Sequence, residues 1–280
     1  MMLIADSGST KTDWRFIDEQ NKIHQLKSSG LNPFFLNENQ ITDIILNELE
    51  PDERLRNVDE LFFYGAGCAG QPQRELVVHA LSQVFRKAKI VVEHDLLGAC
   101  RSLCGREAGI VGILGTGSNS CYFENGIITH QIPSLGYMLG DEGSGAYIGK
   151  KLLQAFFYKE LPNAIADRLK DRFQLTKESV LDAVYRKPSP NRFLASFAPF
   201  VFQNRTEETI SKIVFDSFSD FFIHHICKYN VAKPVSFHCT GSIAYYFGDI
   251  LRKVAEANDV QPGKITENPI AGLTLYHLNE

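Results

Sequence analysis

Residues 6–14, DSGSTKTDW, are the stretch that decides the fold, and they follow a short apolar segment at residues 1–5. An acid followed by glycine, small hydroxyl residues and lysine predicts a tight turn with free backbone N–H groups beside a carboxylate. Such a turn suits a Mg²⁺-bound polyphosphate. The stretch contains neither the P-loop frame nor the GxGxxG dinucleotide pattern. Taken alone, it is equally compatible with an ordinary hairpin whose small residues serve only the turn.

A second turn of the same kind occurs at residues 115–120, GTGSNS, directly after the apolar residues 110–114. Two strand-turn-strand units so far apart in the chain are hard to explain as coincidence. We therefore expect both turns to hold the β- and γ-phosphates of a nucleotide with backbone N–H and hydroxyl groups. The predicted nucleotide contacts are Gly8, Ser9, Thr10 and Lys11 in the first turn and Gly115, Thr116, Gly117 and Ser118 in the second.

Three more motifs occur along the chain: HDLLGA at residues 94–99, LGYMLGDEGSG at 135–145 and TGSIA at 240–244. With them, nearly the whole chain resembles the superfamily of sugar kinases, heat-shock ATPases and actin. Within it, the chain is most similar to N-acetylglucosamine kinases and to their relatives, the activator ATPases of benzoyl-CoA reductase and 2-hydroxyglutaryl-CoA dehydratase. The order and spacing of all these motifs are far more specific than any one of them.

This resemblance implies an α/β fold in which two ribonuclease H-like (actin-like ATPase) domains face a central cleft. The length of 280 residues agrees with roughly two domains. We expect an N-terminal domain at residues 1–106 and a C-terminal domain at 107–280, with a helical insertion at about 144–202. Hydrophobic periodicity predicts strands at 3–5, 12–18, 22–28, 60–64, 90–93, 110–114 and 235–239, and helices at 38–49, 73–86 and 207–229.

Asp95 is the candidate catalytic residue. It lies at the C-terminal end of an apolar strand, the edge at which ligands collect in α/β sheets. A carboxylate there can accept the proton of an attacking sugar hydroxyl and orient that hydroxyl toward the γ-phosphate. The resemblance places the catalytic base, which also contacts the sugar, at this position. The alternative is a helix N-cap, and one side chain can fill both roles.

The resemblance implies that Asp141 is the main candidate sugar contact, and the glycines around it let the backbone approach a ligand closely. Carboxylates also accept hydrogen bonds from vicinal hydroxyls. The alternative is that Asp141 and Glu142 are acids in the first turn of the next helix. Asn32, in GLNP, resembles a sugar contact of the first domain, although Asn-Pro is also a common turn. The resemblance implies sugar contacts at Asn32, Asp95, Ser134, Leu135, Gly136 and Asp141.

The implied cofactors are ATP and Mg²⁺. Asp6 is expected to bind Mg²⁺ through water, because Mg²⁺ keeps several waters and takes only one or two carboxylates. The alternative is an aspartate that caps the turn. Thr240, Gly241 and Ser242 match the turn on the adenosine side in this superfamily, where the glycine lets adenine or ribose approach. The alternative there is a routine junction between a strand and a helix.

Composition disfavours several classes of partner. The net charge of −4 and the pI of about 6.1, with no block of Lys or Arg, argue against nucleic acid and membrane surfaces. No apolar run approaches the ~18–20 residues of a membrane span. Asp6 and Lys11 interrupt the N-terminus where a signal peptide needs its apolar centre. We therefore expect a cytoplasmic protein.

Six cysteines without a CxxC pair predict reduced thiols rather than a disulfide framework. Cys100 and Cys104 share one face of a predicted helix, where small buried hydrophobic side chains are favoured over a metal site. His224 and His225, near the end of a long amphipathic helix, are expected at the surface or as partners of the helix dipole.

The predicted function is ATP-dependent phosphorylation of an amino sugar, N-acetylglucosamine or glucosamine. The first alternative is an activator-type ATPase that couples hydrolysis to electron transfer through an iron–sulfur cluster, but residues 115–120 depart from the acidic, Gly-Gly-Gln-containing turn of that family. The second is a non-catalytic regulator that binds sugar or nucleotide, which an intact Asp95 and the lack of a DNA-binding appendage disfavour. The expected partner is a small-molecule sugar. The identity of the sugar stays open, as does the oligomeric state, for which a homodimer is one option.

Overall fold

The protein divides into two compact units. The computed structural model describes residues 1–49, 52–231 and 235–279. The first unit consists of Met1–Arg106 together with Pro269–Glu280, and the second of Glu107–Asn268. The sequence pattern assigns residues 269–280 to the second domain, whereas in the structure this segment packs on the first unit. The reason is apolar contact: Ile270 and Leu273 are buried against the sheet of the first unit.

The first unit is built on a five-stranded sheet. Its strands are β1 (Met2–Ser7), β2 (Lys11–Ile17), β3 (Ile23–Ser29), β4 (Glu60–Gly65) and β5 (Lys89–His94). The first three pair antiparallel, and β4 and β5 extend the sheet in parallel on the other side of β1, which gives the order β3-β2-β1-β4-β5. The helices are α1 (Glu38–Glu48), α2 (Gln71–Val84), α3 (Asp95–Cys104) and, at the C-terminus, α13 (Ile270–Leu278), with a 3₁₀ turn at Glu53–Asn57.

Burial explains the central position of β1. Leu3, Ile4 and Ala5 are completely buried, so the strand is apolar on both faces and needs a layer on each side. The edge strand β3 instead alternates exposed and partly buried positions along most of its length. The aromatic side chains of Trp14 and Phe63 fill the core beside β1.

The second unit repeats this topology. Its strands are β6 (Gly109–Leu114), β7 (Ser118–Glu124), β8 (Ile127–Ile132), β9 (Phe237–Thr240) and β10 (Pro262–Thr266). An antiparallel β6-β7-β8 meander is extended by the parallel strands β9 and β10, which gives the order β10-β9-β6-β7-β8. Each unit therefore begins with a hairpin whose turn is one of the two glycine-rich stretches, as the sequence predicts.

Most helices of the second unit lie between β8 and β9. They are α4 (Gly136–Leu139), α5 (Gly145–Phe157), α6 (Asn163–Phe173), α7 (Lys177–Tyr185), α8 (Pro190–Ala195), α9 (Ala198–Gln203) and α10 (Glu208–His224), and α11 (Ser242–Tyr246) and α12 (Gly248–Ala257) follow β9. Helix α10 is shorter than the predicted 207–229, because it ends at His224 and continues as a 3₁₀ turn at Ile226–Lys228.

The cysteines are free thiols. Within the described part of the chain, Cys227 is exposed and the other five are buried. Burial raises the pKa of Cys68 to about 12, and the nearby charge of Asp95 acts in the same direction. No helix among residues 1–49, 52–231 and 235–279 is both long and apolar enough to span a membrane.

Candidate functional site

Backbone hydrogen bonds, within the turn and from the segment after β3, stabilise the turn between β1 and β2. The Gly8 N–H donates to the Lys11 carbonyl at 3.0 Å, which closes the turn. Gly30, just after β3, donates its N–H to the Thr10 carbonyl at 3.1 Å. A Cβ at Gly30 would lie 2.4 Å from the Gly8 carbonyl oxygen, so only glycine fits beneath the turn. Gly8 and Thr10 are themselves exposed, so the outer side of the turn is open to a ligand.

A cluster of carboxylates lies beside this turn. Asp6 on β1 is directly opposite Asp13 on β2. Asp13 is 5% exposed and forms an ion pair with Lys11, with Nζ and Oδ2 3.0 Å apart. Burial, together with the charges of Asp95 and Asp13, raises the pKa of Asp6 to about 7, although Lys11 acts in the opposite direction. The cluster has more negative charge than Lys11 can balance, so an added cation would be stabilised there.

Asp95 is the first residue of α3, directly after β5. The helix N-cap is His94, whose Nδ1 accepts the Leu97 N–H at 3.2 Å, so the alternative that Asp95 is the cap is wrong. Asp95 uses Oδ1 to accept the neighbouring Leu96 N–H at 2.9 Å. Burial raises the pKa of Asp95, while the charge of the His94 side chain and the hydrogen bond from the Leu96 N–H lower it. A carboxylate with a raised pKa is a stronger proton acceptor than an ordinary aspartate.

Asn32 is 6% exposed and is linked to the first turn. Its Nδ2 donates to Ser9 Oγ at 2.7 Å, and its Oδ1 accepts the Phe34 N–H at 2.9 Å. A Cβ at Gly67 would lie 2.2 Å from Oδ1, so a glycine is required there. The Asn32 carbonyl also accepts the Phe35 N–H, as the turn alternative requires. A sugar contact at Asn32 stays a prediction.

The turn of the second hairpin is fixed by the start of α5. The Gly115 N–H donates to the Gly117 carbonyl at 3.0 Å within the turn. The N–H groups of Gly145 and Ala146 donate to the carbonyls of Gly115 and Thr116 at 2.8 and 3.1 Å. These are N–H groups that a helix leaves unpaired at its N-terminus, so here they attach the helix to the turn.

Asp141 connects this hairpin to residues 134–136. It is 7% exposed and has a left-handed backbone with φ of 56°. Its Oδ1 accepts the Ser118 N–H at 3.3 Å and the Ser134 hydroxyl at 3.1 Å. Burial raises the pKa of Asp141, and these two hydrogen bonds lower it. Helix α5 begins at Gly145 and has no acid in its first turn, so the alternative role for Asp141 and Glu142 as first-turn acids is wrong.

The remaining predicted sugar contacts belong to the same loop. Leu135 is 59% exposed, and Gly136 has a left-handed φ of 72°. The Gly136 carbonyl accepts the Gly140 N–H at 2.8 Å, which closes the short helix α4 just before Asp141. The structure therefore brings Ser134, Leu135, Gly136 and Asp141 together in the second unit.

The turn after β9 contains a required glycine. Gly241 has φ of 117°, and a Cβ there would lie 2.3 Å from the Leu114 carbonyl oxygen. Thr240 is 2% exposed and accepts a hydrogen bond from Thr266 Oγ1 at 3.0 Å. Thr240 therefore belongs to the sheet interior, whereas Ser242 lies at the surface of a cavity.

That cavity has a volume of about 400 Å³, and residues of two predicted motifs line it. Gly115 and Thr116 of the second hairpin line it together with Ser242. An aromatic wall completes it and consists of Phe202, Tyr246 and Phe247. The Phe202 ring packs edge-on against the other two rings, with centroids 5.4 and 5.6 Å away. The cavity thus offers a flat apolar surface beside a polar, glycine-rich turn, as a nucleoside requires.

The sequence patterns missed this aromatic wall and misjudged one histidine. Tyr246 and Phe247 follow the TGSIA motif after one intervening residue, so their position near the adenosine-side turn was a usable signal. His224 is exposed as predicted, but the surface position offered for His225 is wrong. His225 is 5% exposed, and its Nε2 lies 3.2 Å from Glu142 Oε2. Its partner is 83 residues away in the chain, which no local pattern can reveal.

No protein-family model matches the chain, and no curated protein matches it either. Solved structures do. A protein from Porphyromonas gingivalis, provisionally assigned as an N-acetylglucosamine kinase, is 37% identical over 100% of this chain and 99% of its own, with a TM-score of 0.95. A protein from Chromobacterium violaceum with the same provisional assignment is 15% identical over 98% of both chains, with a TM-score of 0.74.

A ROK family glucokinase from Streptomyces griseus, solved with glucose and AMPPNP, is 15% identical over 98% of this chain and 97% of its own, with a TM-score of 0.56. The duplicated sheets and their glycine-rich hairpins are thus those of an actin-like ATPase fold, which confirms the predicted fold. Within that class, the chain belongs to the N-acetylglucosamine kinase-like family, as its motifs predict.

Proposed function

We propose that the protein transfers the γ-phosphoryl group of ATP to a hydroxyl of an amino sugar, N-acetylglucosamine or glucosamine. The observation that carries this proposal is Asp95: a carboxylate with a raised pKa, at the carboxyl end of β5, that interacts electrostatically with Asp6 beside the first hairpin. Family membership supports the choice of a sugar as the acceptor.

Asp95 has the role of general base. The reaction needs a group that accepts the proton of the sugar hydroxyl as its oxygen attacks the γ-phosphorus, while the bond from that phosphorus to the bridging oxygen of ADP breaks. The Leu96 N–H donates to Asp95 Oδ1 and so orients the carboxylate that would accept the proton. His94 caps the helix, so the position of Asp95 does not depend on its own charge.

The residues beside the first hairpin fit a Mg²⁺ ion. The pKa of Asp6 is raised first by burial and then by the negative charges of Asp95 and Asp13, and a divalent cation would stabilise the ionised carboxylates there. Within the described ranges, no group of three or more His, Cys, Asp or Glu residues is arranged to hold a metal directly. Asp6 would hold the ion through water, with the phosphates as the other ligands. When bound, Mg²⁺ neutralises charge on the transferring phosphoryl group.

The second unit has the groups that a nucleoside triphosphate needs. The turn of residues 115–117 would face phosphate oxygens with N–H and hydroxyl groups. The cavity of about 400 Å³ would take the adenosine, with the base against Phe202 and Tyr246 and the ribose near Ser242. Gly241 keeps the strand end close to β6, and so keeps this turn beside the hairpin.

Asp141 is proposed as the sugar contact of the second unit. Its carboxylate is buried and its Oδ1 accepts two hydrogen bonds, so its orientation is fixed before a ligand arrives. Such preorganisation lowers the entropic cost of holding a sugar hydroxyl. Asn32 is proposed as the corresponding contact in the first unit, where Ser9 and the Phe34 N–H fix its amide.

A coupled assay of ADP release against a panel of sugars tests the function: glucosamine, N-acetylglucosamine, N-acetylmannosamine, glucose and muramic acid derivatives. We expect strong stimulation by an amino sugar, and loss of that stimulation in Asp95→Asn. ATP hydrolysis that no sugar stimulates, together with iron in anaerobically purified protein, would instead identify an activator-type ATPase. Binding of sugar or nucleotide without turnover would identify a regulator.

A further inference from the structure

Glu142 and His225 form a buried pair that the function proposed above does not use. The side chains are 16% and 6% exposed, respectively, and Nε2 of the imidazole lies 3.2 Å from Oε2 of the carboxylate. His225 is the C-cap of α10, and Glu142 directly follows Asp141. The pair therefore ties the end of α10 to the loop that presents Asp141.

Helix α10 packs against this loop and supports it. The His225 ring stacks on Phe221, one turn earlier, with centroids 5.2 Å apart and an angle of 29° between the planes. Gly143 packs on the same surface: a Cβ there would lie 3.0 Å from Phe221 and 3.3 Å from Phe218. Apolar contact fixes how closely the loop approaches the helix. The Glu142–His225 pair adds a polar contact on this surface, and it sets the position of the residue next to Asp141.

The pair is costly to bury, which argues for a role beyond packing. His225 Nδ1 is buried and has no hydrogen-bond partner within residues 1–49, 52–231 and 235–279. Since Nε2 faces a carboxylate, it carries a proton, and Nδ1 is left unsatisfied in either protonation state. An apolar pair of similar volume would often be at least as stable. The fold alone therefore does not require an imidazole and a carboxylate here.

The contact between Glu142 and His225 stabilises the backbone conformation of the neighbouring residue, Asp141. Its left-handed backbone, with φ of 56°, is one that non-glycine residues adopt at some energetic cost, so surrounding contacts must hold it. The Ser144 N–H donates to the Asp141 carbonyl on the C-terminal side, at 3.1 Å. We propose that His225 is a positioning residue, which holds Glu142 and thereby fixes the Asp141 carboxylate for the sugar. The sugar contact of Asp141 itself rests on the proposed function.

The test compares three single variants with the wild type. His225→Leu removes the N–H that faces Glu142, His225→Gln restores a donor near the position of Nε2, and His224→Leu is the matched control on the exposed neighbour. In steady-state kinetics with the responsive sugar, we expect His225→Leu to raise the sugar KM and to lower kcat/KM for the sugar roughly 10-fold or more, because displaced binding groups lose catalysis steeply. His225→Gln should recover most of this loss, and His224→Leu should match the wild type.

Hydrogen exchange of the segment covering residues 139–147 gives a second measurement that needs no activity. His225→Leu should exchange faster there than the wild type, and His225→Gln should not. If His225→Leu does not fold, the double variant Glu142→Leu/His225→Leu avoids an unpaired buried carboxylate, and the same two measurements apply.

Unchanged sugar KM and unchanged exchange in a folded variant would overturn the positioning role, as would a loss of kcat with no change in KM. A wild type that phosphorylates none of the sugars would instead overturn the proposed function. The exchange measurement would still decide whether His225 holds the loop.

Discussion

Asp6→Asn should stabilise the free protein while abolishing its activity. Asp6 lies in a partly buried position opposite Asp13 and is affected by the charge of Asp95. These surroundings raise its pKa from an ordinary value of 3.8 to about 7. Asparagine has nearly the same shape but no charge, so the substitution removes the repulsion and keeps the packing.

The magnitude follows from linkage. Between pH 3.8 and about 7, the native protein holds a proton on Asp6 that the unfolded chain has lost. Stability therefore decreases as pH rises through this window and is lowest above it. Each pKa unit corresponds to about 1.4 kcal/mol, so the charged Asp6 costs up to about 4 kcal/mol above pH 7. The cost at pH 5 is only about 1.6 kcal/mol, so the advantage of Asp6→Asn should grow by up to about 3 kcal/mol between pH 5 and pH 8.

Urea unfolding at pH 5, 6, 7 and 8, with EDTA and without nucleotide, measures this difference. Asp43→Asn, at an exposed position of α1, is the control and should follow the wild type at every pH. The reasoning would be refuted if the free-energy difference between Asp6→Asn and the wild type were the same at pH 5 and pH 8. Adding Mg²⁺ at pH 8 should stabilise the wild type more than Asp6→Asn, because the ion relieves the same repulsion.

Four further substitutions probe the two units separately. Asp95→Asn keeps an acceptor for the Leu96 N–H and removes a buried charge, so the protein should melt no lower than the wild type while kcat falls roughly 10²–10⁴-fold; an active variant would rule out the base. Gly117→Ala places a Cβ 2.9 Å from Asp141 Oδ2 and should cost about 1–3 kcal/mol of stability in urea, whereas Gly115→Ala has open space and should cost less. Phe202→Ala removes part of the aromatic wall, so calorimetry should show ADP binding weakened roughly 10-fold, the equivalent of about 1.4 kcal/mol, with the sugar KM unchanged; unaltered ADP affinity would remove the base from this cavity.

The predictable parts of the protein are those that short stretches of chain determine. Both glycine-rich hairpins were predicted because turn chemistry is local, and β1, β2 and β6 beside them differ from their predicted bounds by at most two residues at either end. All five strands of the first sheet were predicted, whereas β7, β8 and β10 of the second sheet were given no bounds. The cap of α3 was predicted less well, because His94 and Asp95 can both accept an N–H, and only the backbone geometry shows that His94 does so.

The parts that were missed depend on contacts between distant segments. The burial of His225 depends on Glu142, and the position of α13 depends on Ile270 and Leu273 meeting β1 and β4, at the other end of the chain. The aromatic wall needs Phe202 from α9 beside Tyr246 from α11. A periodic apolar pattern shows that such residues are buried, but it does not show which segment covers them.

Asp141 connects the proposed nucleotide site and the proposed sugar site of the second unit. Two of the sites at which its carboxylate can accept a hydrogen bond are taken, by the Ser118 N–H at the start of β7 and by the Ser134 hydroxyl. A sugar hydroxyl that binds Asp141 must either share Oδ1 or meet Oδ2, which lies beside Gly117. In both cases the sugar hydroxyl contacts a carboxylate that also contacts the turn proposed to hold phosphate. Under the proposed function, the Asp141 side chain therefore couples the binding of sugar to the binding of nucleotide. Linkage requires that bound sugar change the affinity for nucleotide by the same factor as bound nucleotide changes the affinity for sugar.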